Sequence, residues 1–306
     1  MLPHEYWTAY ERRVEGLDEY IAVVTTLGAT WPERRFVWRG VANADYALHS
    51  SLYRTAVKKH GALLREGGGT GRTFRDFEDP ILEEAQAWGL QRGPTDRLSA
   101  LELLAGLQHQ GVPTRLLDFS HNALAGLWFA TEEKYDREGN PRPDRDGRVF
   151  IAQANGREIS PEWALAAELP WARGAPADWL SDILIWTPPP IDPRMVRQQG
   201  CFVFAGVPTT TGGWNLPGTP SRMLNASEIR ECVSVPIRLN NPRYLDNNVV
   251  RGRAPGFPLA FTLRIPAAAK PDLRRHLHRG FGYTHAMMYP DYPGFAAFGR
   301  SIPRAA

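Results

Sequence analysis

Residues 108–130, QHQGVPTRLLDFSHNALAGLWFA, leave the backbone few options. Gly111 and Pro113 break any helix that contains residues 101–109, since proline lacks the amide proton and fixes φ. Beyond them, Thr114, Leu116 and Asp118 share one face of an extended strand, and Arg115, Leu117 and Phe119 the other. Ser120 or Asn122 can cap the helix that follows, in which Leu124, Leu127, Trp128 and Thr131 recur at helical spacing. An apolar strand and an apolar helix therefore flank a polar hinge of Asp118, Ser120, His121 and Asn122. Ligand sites in mixed folds favour such places, where strands end and helix N-termini begin.

The rest of the chain fits a mixed α+β architecture. A helix is expected over residues 10–27, with Leu17, Ile21, Val24 and Leu27 on one side, so that residues 1–34 form an N-terminal helical extension. FVWRG follows as a strand ended by Gly40, placing Arg39 at a strand terminus. Residues 74–109 read as mostly helical with a break near Gly93 and Pro94, residues 132–147 as a charged loop, and residues 148–153 as a strand. Residues 155–190, rich in Trp and Pro, read as irregular; residues 201–205, 232–239 and 261–265 read as strands, and residues 209–218 as a loop. With 306 residues and 43% hydrophobic content a single large core is feasible, and no composition shift marks a linker. One domain over residues 1–306 is expected.

No stretch approaches the ~18 apolar residues of a membrane span, and no signal peptide is recognisable, so no membrane association is expected. Cys201 and Cys232 alone give no disulfide framework, which suits a reducing compartment and a cytoplasmic location. The net charge of +3 permits nucleic acid as a partner without demanding it. Its distribution is uneven. Arg54, Lys58, Lys59, Arg65, Arg72 and Arg75 face only Glu66 across a glycine-rich stretch that reads as a mobile basic loop. Lys270, Arg274, Arg275 and Arg279 form a second cluster. Both can be solvated surface or a rim that tracks phosphates. The glycines of residues 67–71 lack the Lys-Ser/Thr ending of a P-loop, and His276 and His278 lack metal-binding company, so no metal is assigned.

Residues 108–130 resemble the FRG domain family, named after its (Phe/Tyr)-Arg-Gly motif, in their run QHxGxPTRLLD followed by a helical ALxxLxFA-like segment. Trp38-Arg39-Gly40 resembles the motif itself, with Trp in the aromatic place, and DYALHSSLYR follows it at residues 45–54. QQGCF at residues 198–202, FTLRIP at 261–266 and MYPDYPG at 288–294 continue the similarity in the family's order. The family is similar in turn to divergent ADP-ribosyltransferases. That resemblance implies a split β-sheet core flanked by helices and long loops, NAD as a substrate, and transfer of ADP-ribose. It also implies a toxin that modifies a nucleobase in DNA, sometimes paired with a macrodomain antitoxin. A catalytically silent module that binds a nucleotide or partner, and a protein-modifying transferase, are the alternatives.

On this resemblance Arg39 would hold NAD, with Gly40, Tyr53, His109, Thr114, Arg115 and Ser120 around the cofactor-binding pocket. A guanidinium grips phosphate oxygens in a two-pronged way that lysine cannot match. Gly40 permits close backbone approach. The Ser120 hydroxyl suits either a carboxamide or an ordinary N-cap. At the place where the transferases carry a catalytic glutamate stand Gln198 and Gln199; an amide can position a ribose but offers no charge to a developing oxocarbenium ion. Asp118, Glu84 or Asp291 could supply that charge instead, and Gln199 could equally be a turn residue before Gly200. A base presents its edge only when unpaired. Single-stranded DNA is therefore the expected acceptor, held by Lys58, Lys59, Arg65 and Asp291, with Tyr53 or Trp214 as exposed stacking platforms.

Overall fold

A computed structural model of the chain describes residues 3–65, 72–92, 97–136, 138–172, 179–190, 192–208, 214–216, 222–246 and 259–299. The elements run in order α1 (Pro3–Thr8), β1 (Glu11–Arg13), α2 (Leu17–Thr30), β2 (Phe36–Val41), α3 (Ser51–Arg65), α4 (Arg72–Ala87), α5 (Ala100–His109), β3 (Leu117–Ser120) and α6 (Ala123–Thr131). Then come β4 (Gly147–Gln153), α7 (Pro161–Ala164), β5 (Leu184–Trp186), α8 (Pro193–Gln198), β6 (Gly200–Phe204), β7 (Asn215–Leu216), β8 (Arg222–Met223) and α9 (Ala226–Cys232). The chain closes with β9 (Ala260–Ile265), α10 (Lys270–Phe281), α11 (His285–Met288) and α12 (Tyr292–Gly299).

The mixed α+β expectation agrees with this arrangement. A 7-stranded sheet runs in the order β1-β9-β4-β2-β3-β6-β5, with β7 and β8 forming a separate ribbon. The β2 ladder against β4 is complete, from Phe36 opposite Gln153 to Val41 opposite Arg148. The β3 ladder against β6 is also complete, from Leu117 opposite Val203 to Ser120 opposite Gly200. Between β2 and β3, however, only Trp38 and Ser120 pair. Past that point the strands diverge and the sheet opens.

One apolar cluster, with Val37, Leu117, Phe119, Phe150 and Val203, lies on the sheet face opposite a second, with Trp38, Val149, Ile151, Phe261 and Leu263. The second face is covered by α6, α2 and α10, which contribute Leu127, Val23 and Leu273. The two-residue alternation of β2 sends Val37 to the first cluster and Trp38 to the second. Gly40 shares the face of Trp38, and α6 crosses directly over it. A Cβ on Gly40 would collide with the Gly126 carbonyl and sit 2.5 Å from the Ala130 amide nitrogen. The close approach that Gly40 permits is thus that of a helix packing on the strand. Arg39 points the other way, into the opening.

Several local expectations differ from the structure. Arg39 is not at the strand end, because β2 continues through Gly40 to Val41, paired along β4 throughout. The N-terminal stretch is not simply helical: Glu11–Arg13 breaks it and pairs in parallel with Thr262–Arg264 at the sheet edge. Arg148 of β4, fully buried, explains this, since it donates to Glu11 at 2.8 Å, to Thr262 at 2.9 Å and to the Ala44 carbonyl at 3.0 Å. Arg54, Lys58 and Lys59 lie on α3, not in a loop, and residues 66–71 lie outside the described residues. Residues 226–232 form α9, whose cap is a reciprocal pair between Asn225 and Glu228, and the strand expected over residues 232–239 is reduced to one bridge between Leu48 and Val233.

The tight seat of α6 on β2 has a measurable consequence. Overpacking of this kind costs ~1–3 kcal/mol or more, so Gly40→Ala lowers the urea unfolding free energy by at least about 2 kcal/mol. Gly28→Ala in α2, where an added Cβ meets nothing within 4 Å, is neutral or stabilising by up to about 1 kcal/mol.

Candidate functional site

The opening between β2 and β3 is the mouth of a cleft of about 1100 Å³. Arg39 and Gly40 line it from β2, Asp118 and Ser120 from β3, His49 and Arg54 from α3 and the turn before it, and Gln198 from α8. Where two strands separate, edge backbone groups lose their ladder partners. Arg39 supplies one: its Nη1 donates to the Asp118 carbonyl at 2.5 Å and lies 3.7 Å from the Asp118 carboxylate. Its Nε, by contrast, is buried with no acceptor. Burial lowers the Arg39 pKa most, Asp118 pushes it back up, and the nearby charge of Arg54 lowers it again. The guanidinium nonetheless stays charged, as arginine does throughout the accessible pH range.

Asp118 is 68% exposed and projects into the cleft. It is oriented from below. The Thr114 hydroxyl accepts from the Leu116 amide at 3.2 Å, so its proton is directed to the Gln108 carbonyl oxygen. That fixes the Gln108 amide with its NH2 toward Asp118, to which it donates at 2.6 Å. Thr114 itself is fully buried and helps the site only through Gln108.

Ser120 is buried and its hydroxyl is already engaged: it donates to the Gln198 carbonyl at 2.6 Å and accepts from the Asn122 amide at 2.9 Å. The N-cap of α6 is Asn122, whose side chain accepts from the amides of Leu124 and Ala125. Gln199 caps α8 in the left-handed region at φ 47° and is exposed outside the cleft lining, its carbonyl accepting from the His121 amide at 2.9 Å. Gln198 takes the lining position and donates to the Met288 carbonyl at 2.7 Å.

At the far side, His109 stands 3.2 Å from Asp192 and 3.8 Å from Asp291. Arg194 holds Asp291 bidentately at 2.6 and 2.8 Å and stacks over Tyr289. The Arg194 pair, the Gly294 amide and His109 together hold the Asp291 carboxyl below its usual range, against burial, which acts the other way. His109, Asp192 and Asp291 have the atoms to hold a metal ion, but both Asp291 oxygens are committed to Arg194. The trio reads as a polar network that ties the end of α5 to the N-termini of α8 and α12.

Three expected contacts do not reach the cleft. Arg115 is buried and paired bidentately with buried Glu78 at 2.6 to 3.0 Å, its guanidinium lying among Phe74, Trp171 and Trp179. Tyr53 is buried against His49 and Phe74, with its hydroxyl on the Arg230 carbonyl, and Trp214 is buried beside Tyr6. Neither ring can stack on a base. Glu84 accepts from the Trp88 indole on the outside of α4. Lys58 and Lys59 are exposed beyond the lining, and the Arg65 side chain lies outside the described residues.

The cleft also recruits groups that the sequence patterns did not single out. Tyr46, 59% exposed, stands at its edge. Arg142 and Arg145 come from the loop between α6 and β4, exposed and with no ion pair among the described residues. Lys270, 1% exposed, donates to the Ala42 carbonyl at 2.8 Å and is pushed down to about 8, chiefly by burial. His49 donates through Nε2 to the Arg230 carbonyl and is pushed down to about 4, first by burial and further by Arg54. Cys201 and Cys232 are buried thiols, the latter pushed up to about 12, so neither offers a thiolate.

The chain is thus an α+β protein whose sheet opens onto an arginine-lined cleft. The chain carries an FRG domain: the family model of that description matches residues 34–139, from just before β2 into the loop after α6. That span includes Arg39, Gln108 and Asp118. No curated protein and no solved structure matches the chain.

Two outcomes test these assignments. Removing one partner of a buried pair costs ~3–5 kcal/mol, so Arg115→Ala strands Glu78 and destabilises the fold by that amount while leaving ligand affinity of the folded fraction unchanged. For Lys270, the unfolded chain keeps its proton up to the ordinary lysine range, whereas the folded chain releases it from about pH 8. This group therefore makes stability rise as pH increases from 8 toward ~10.4. Denaturant titrations of wild type and Lys270→Met across that window differ by this slope; parallel curves would show that Lys270 is not desolvated.

Proposed function

We propose that this chain is an NAD-dependent ADP-ribosyltransferase whose acceptor is a nucleobase in single-stranded DNA. The observation that carries the reading is Arg39. A charged guanidinium in the mouth of a split sheet, with a buried Nε lacking an acceptor and a carboxylate beside it, suits a ligand that brings phosphate oxygens and a sugar. The cleft volume of about 1100 Å³ is ample for a dinucleotide.

In that reading Arg39 grips the pyrophosphate of NAD. The bond between C1′ of the ribose and the nicotinamide nitrogen breaks, and its electron pair leaves with nicotinamide. The acceptor nitrogen or oxygen then forms a bond to C1′ and gives up its proton to solvent or a cleft base. Asp118, oriented by Gln108, places negative charge where the oxocarbenium character develops, the service that an amide at Gln198 or Gln199 cannot provide. Exposed Tyr46 takes the stacking role first expected of Tyr53, and Arg142 and Arg145 offer their charges to the acceptor's phosphates. A toxin restrained by a macrodomain antitoxin that removes the mark is the biological setting this chemistry suits.

A catalytically silent nucleotide-binding module is the second reading. It is favoured by one specific observation: where the transferases carry glutamate, the cleft wall holds the uncharged amide of Gln198, and exposed Gln199 lies outside the lining.

Purified chain incubated with NAD and a single-stranded oligonucleotide at low salt releases nicotinamide and adds an ADP-ribose mass to the DNA, less so with duplex. Arg39→Lys weakens NAD binding by ~1–3 kcal/mol in calorimetry, and Asp118→Ala slows single-turnover transfer more than Gln199→Ala does. NAD binding without nicotinamide release selects the silent module. Label on protein alone replaces DNA with a protein acceptor.

A further inference from the structure

Arg54 lines the same cleft as Arg39, and its charge is felt there. We propose that it is the second arm of a guanidinium clamp, built with Arg39, that takes two linked phosphates. This deepens the transferase reading by giving the diphosphate of the substrate two cations on separate elements, and it rests on that reading only for the identity of the ligand.

Both guanidinia line one cleft, Arg39 from β2 and Arg54 from the first turns of α3. Each is steered by a single main-chain carbonyl. Arg39 donates to Asp118 at 2.5 Å and Arg54 to His49 at 2.6 Å, which aims both heads while leaving most of their N–H groups unused. Their counter-charges are unequal to the task. Arg54 has no carboxylate partner among the described residues, and Arg39 has only the solvent-exposed Asp118 at 3.7 Å. The Arg54 charge disfavours that of Arg39, a like-charge cost between two residues of one cleft. It is the pattern of cations assembled for an anion that arrives from outside.

The anion has to carry more than one charge. His49, whose carbonyl holds Arg54, stays neutral until about pH 4, so it adds no third cation and competes for no phosphate. A planar fork takes two oxygens of one phosphate bidentately. A diphosphate offers each of two forks its own phosphate, whereas a lone phosphate has to divide its oxygens between them. Buried arginine pairs in this chain look different: Arg115 and Arg148 each meet a carboxylate directly. Arg54 meets none among the described residues, and Arg39 meets Asp118 only at 3.7 Å.

Calorimetry on the full chain at low salt decides the matter, with inorganic pyrophosphate, ADP-ribose and inorganic phosphate as probes. Wild type binds the two diphosphates at least about tenfold more tightly than phosphate. Arg54→Gln loses about tenfold on both diphosphates and stays within about twofold on phosphate, and Arg54→Lys recovers only part of the loss. Arg54 is exposed, so both variants fold, which circular dichroism verifies. If Arg54→Gln binds pyrophosphate as tightly as wild type, or loses phosphate by the same factor, Arg54 merely holds the His49 carbonyl and the clamp is wrong. Wild type that does not prefer diphosphates overturns it as well. Diphosphate selectivity that depends on Arg54, in a protein that never releases nicotinamide from NAD, supports the clamp while removing the transferase reading.

Discussion

Everything distinctive about this molecule follows from the loss of one ladder. β2 is fully paired to β4 and β3 fully paired to β6, yet β2 and β3 share a single ladder pair, Trp38 with Ser120. A sheet opened in its middle exposes backbone groups that need partners. Arg39 answers one of them by donating to the Asp118 carbonyl, so the residue that borders the cleft also bridges its two halves. On the other face α6 presses so closely on Gly40 and Trp38 that Gly126 has to be a glycine as well, since a Cβ there would lie 2.9 Å from the Trp38 Cβ. The aromatic-Arg-Gly motif is thus a two-sided device. Its aromatic and its glycine seat a helix behind the strand, and its arginine serves the opening in front.

Charge is distributed in two registers. Away from the cleft, buried cations are matched by carboxylates: Arg115 with Glu78, Arg148 with Glu11. These pairs tie distant segments together, and losing either partner would strand a charge in a dry interior. Within the cleft the arginines outnumber the acids that could neutralise them, with Arg54, Arg142 and Arg145 lacking a carboxylate among the described residues. The chain's small net charge of +3 conceals this concentration. Asp118 is the exception that gives the cleft chemical as well as electrostatic character. Its orientation depends on a relay from Thr114 through Gln108, three residues of one sequence block folded back on themselves by Gly111 and Pro113.

The seven-stranded sheet and its covering helices make a mixed α+β chain, and the described helices include none long and apolar enough to cross a membrane. Residues 108–130 were legible as helix, turn, strand and helix because the Gly and Pro break and the Asn122 cap act locally, but the strand starts only at Leu117 and takes in Asp118 and Ser120, both expected in the hinge. Arg39 was legible through its motif, and Asp118 through its place at a strand edge. The aromatic residues were not, because an exposed and a buried tyrosine look alike in sequence. Tyr53 lies on the side of α3 that packs against α4, whereas Tyr46, in the turn before it, is left at the rim of the cleft.

What the sequence determined by itself was local structure and the identity of the residues around the hinge, since helix caps, proline breaks and strand alternation act over a few residues. Only the tertiary structure decided which cations are structural and which are free. Arg115 stands next to the central strand and looks as available as Arg39, but Glu78, 37 residues away, claims it in the interior. Gln198 and Gln199 are neighbours of the same type, yet the left-handed cap at Gln199 turns one outward and leaves the other in the cleft wall. Partner choice over such distances depends on how the sheet opens and which helix covers it, and that is settled by packing the whole chain around one core.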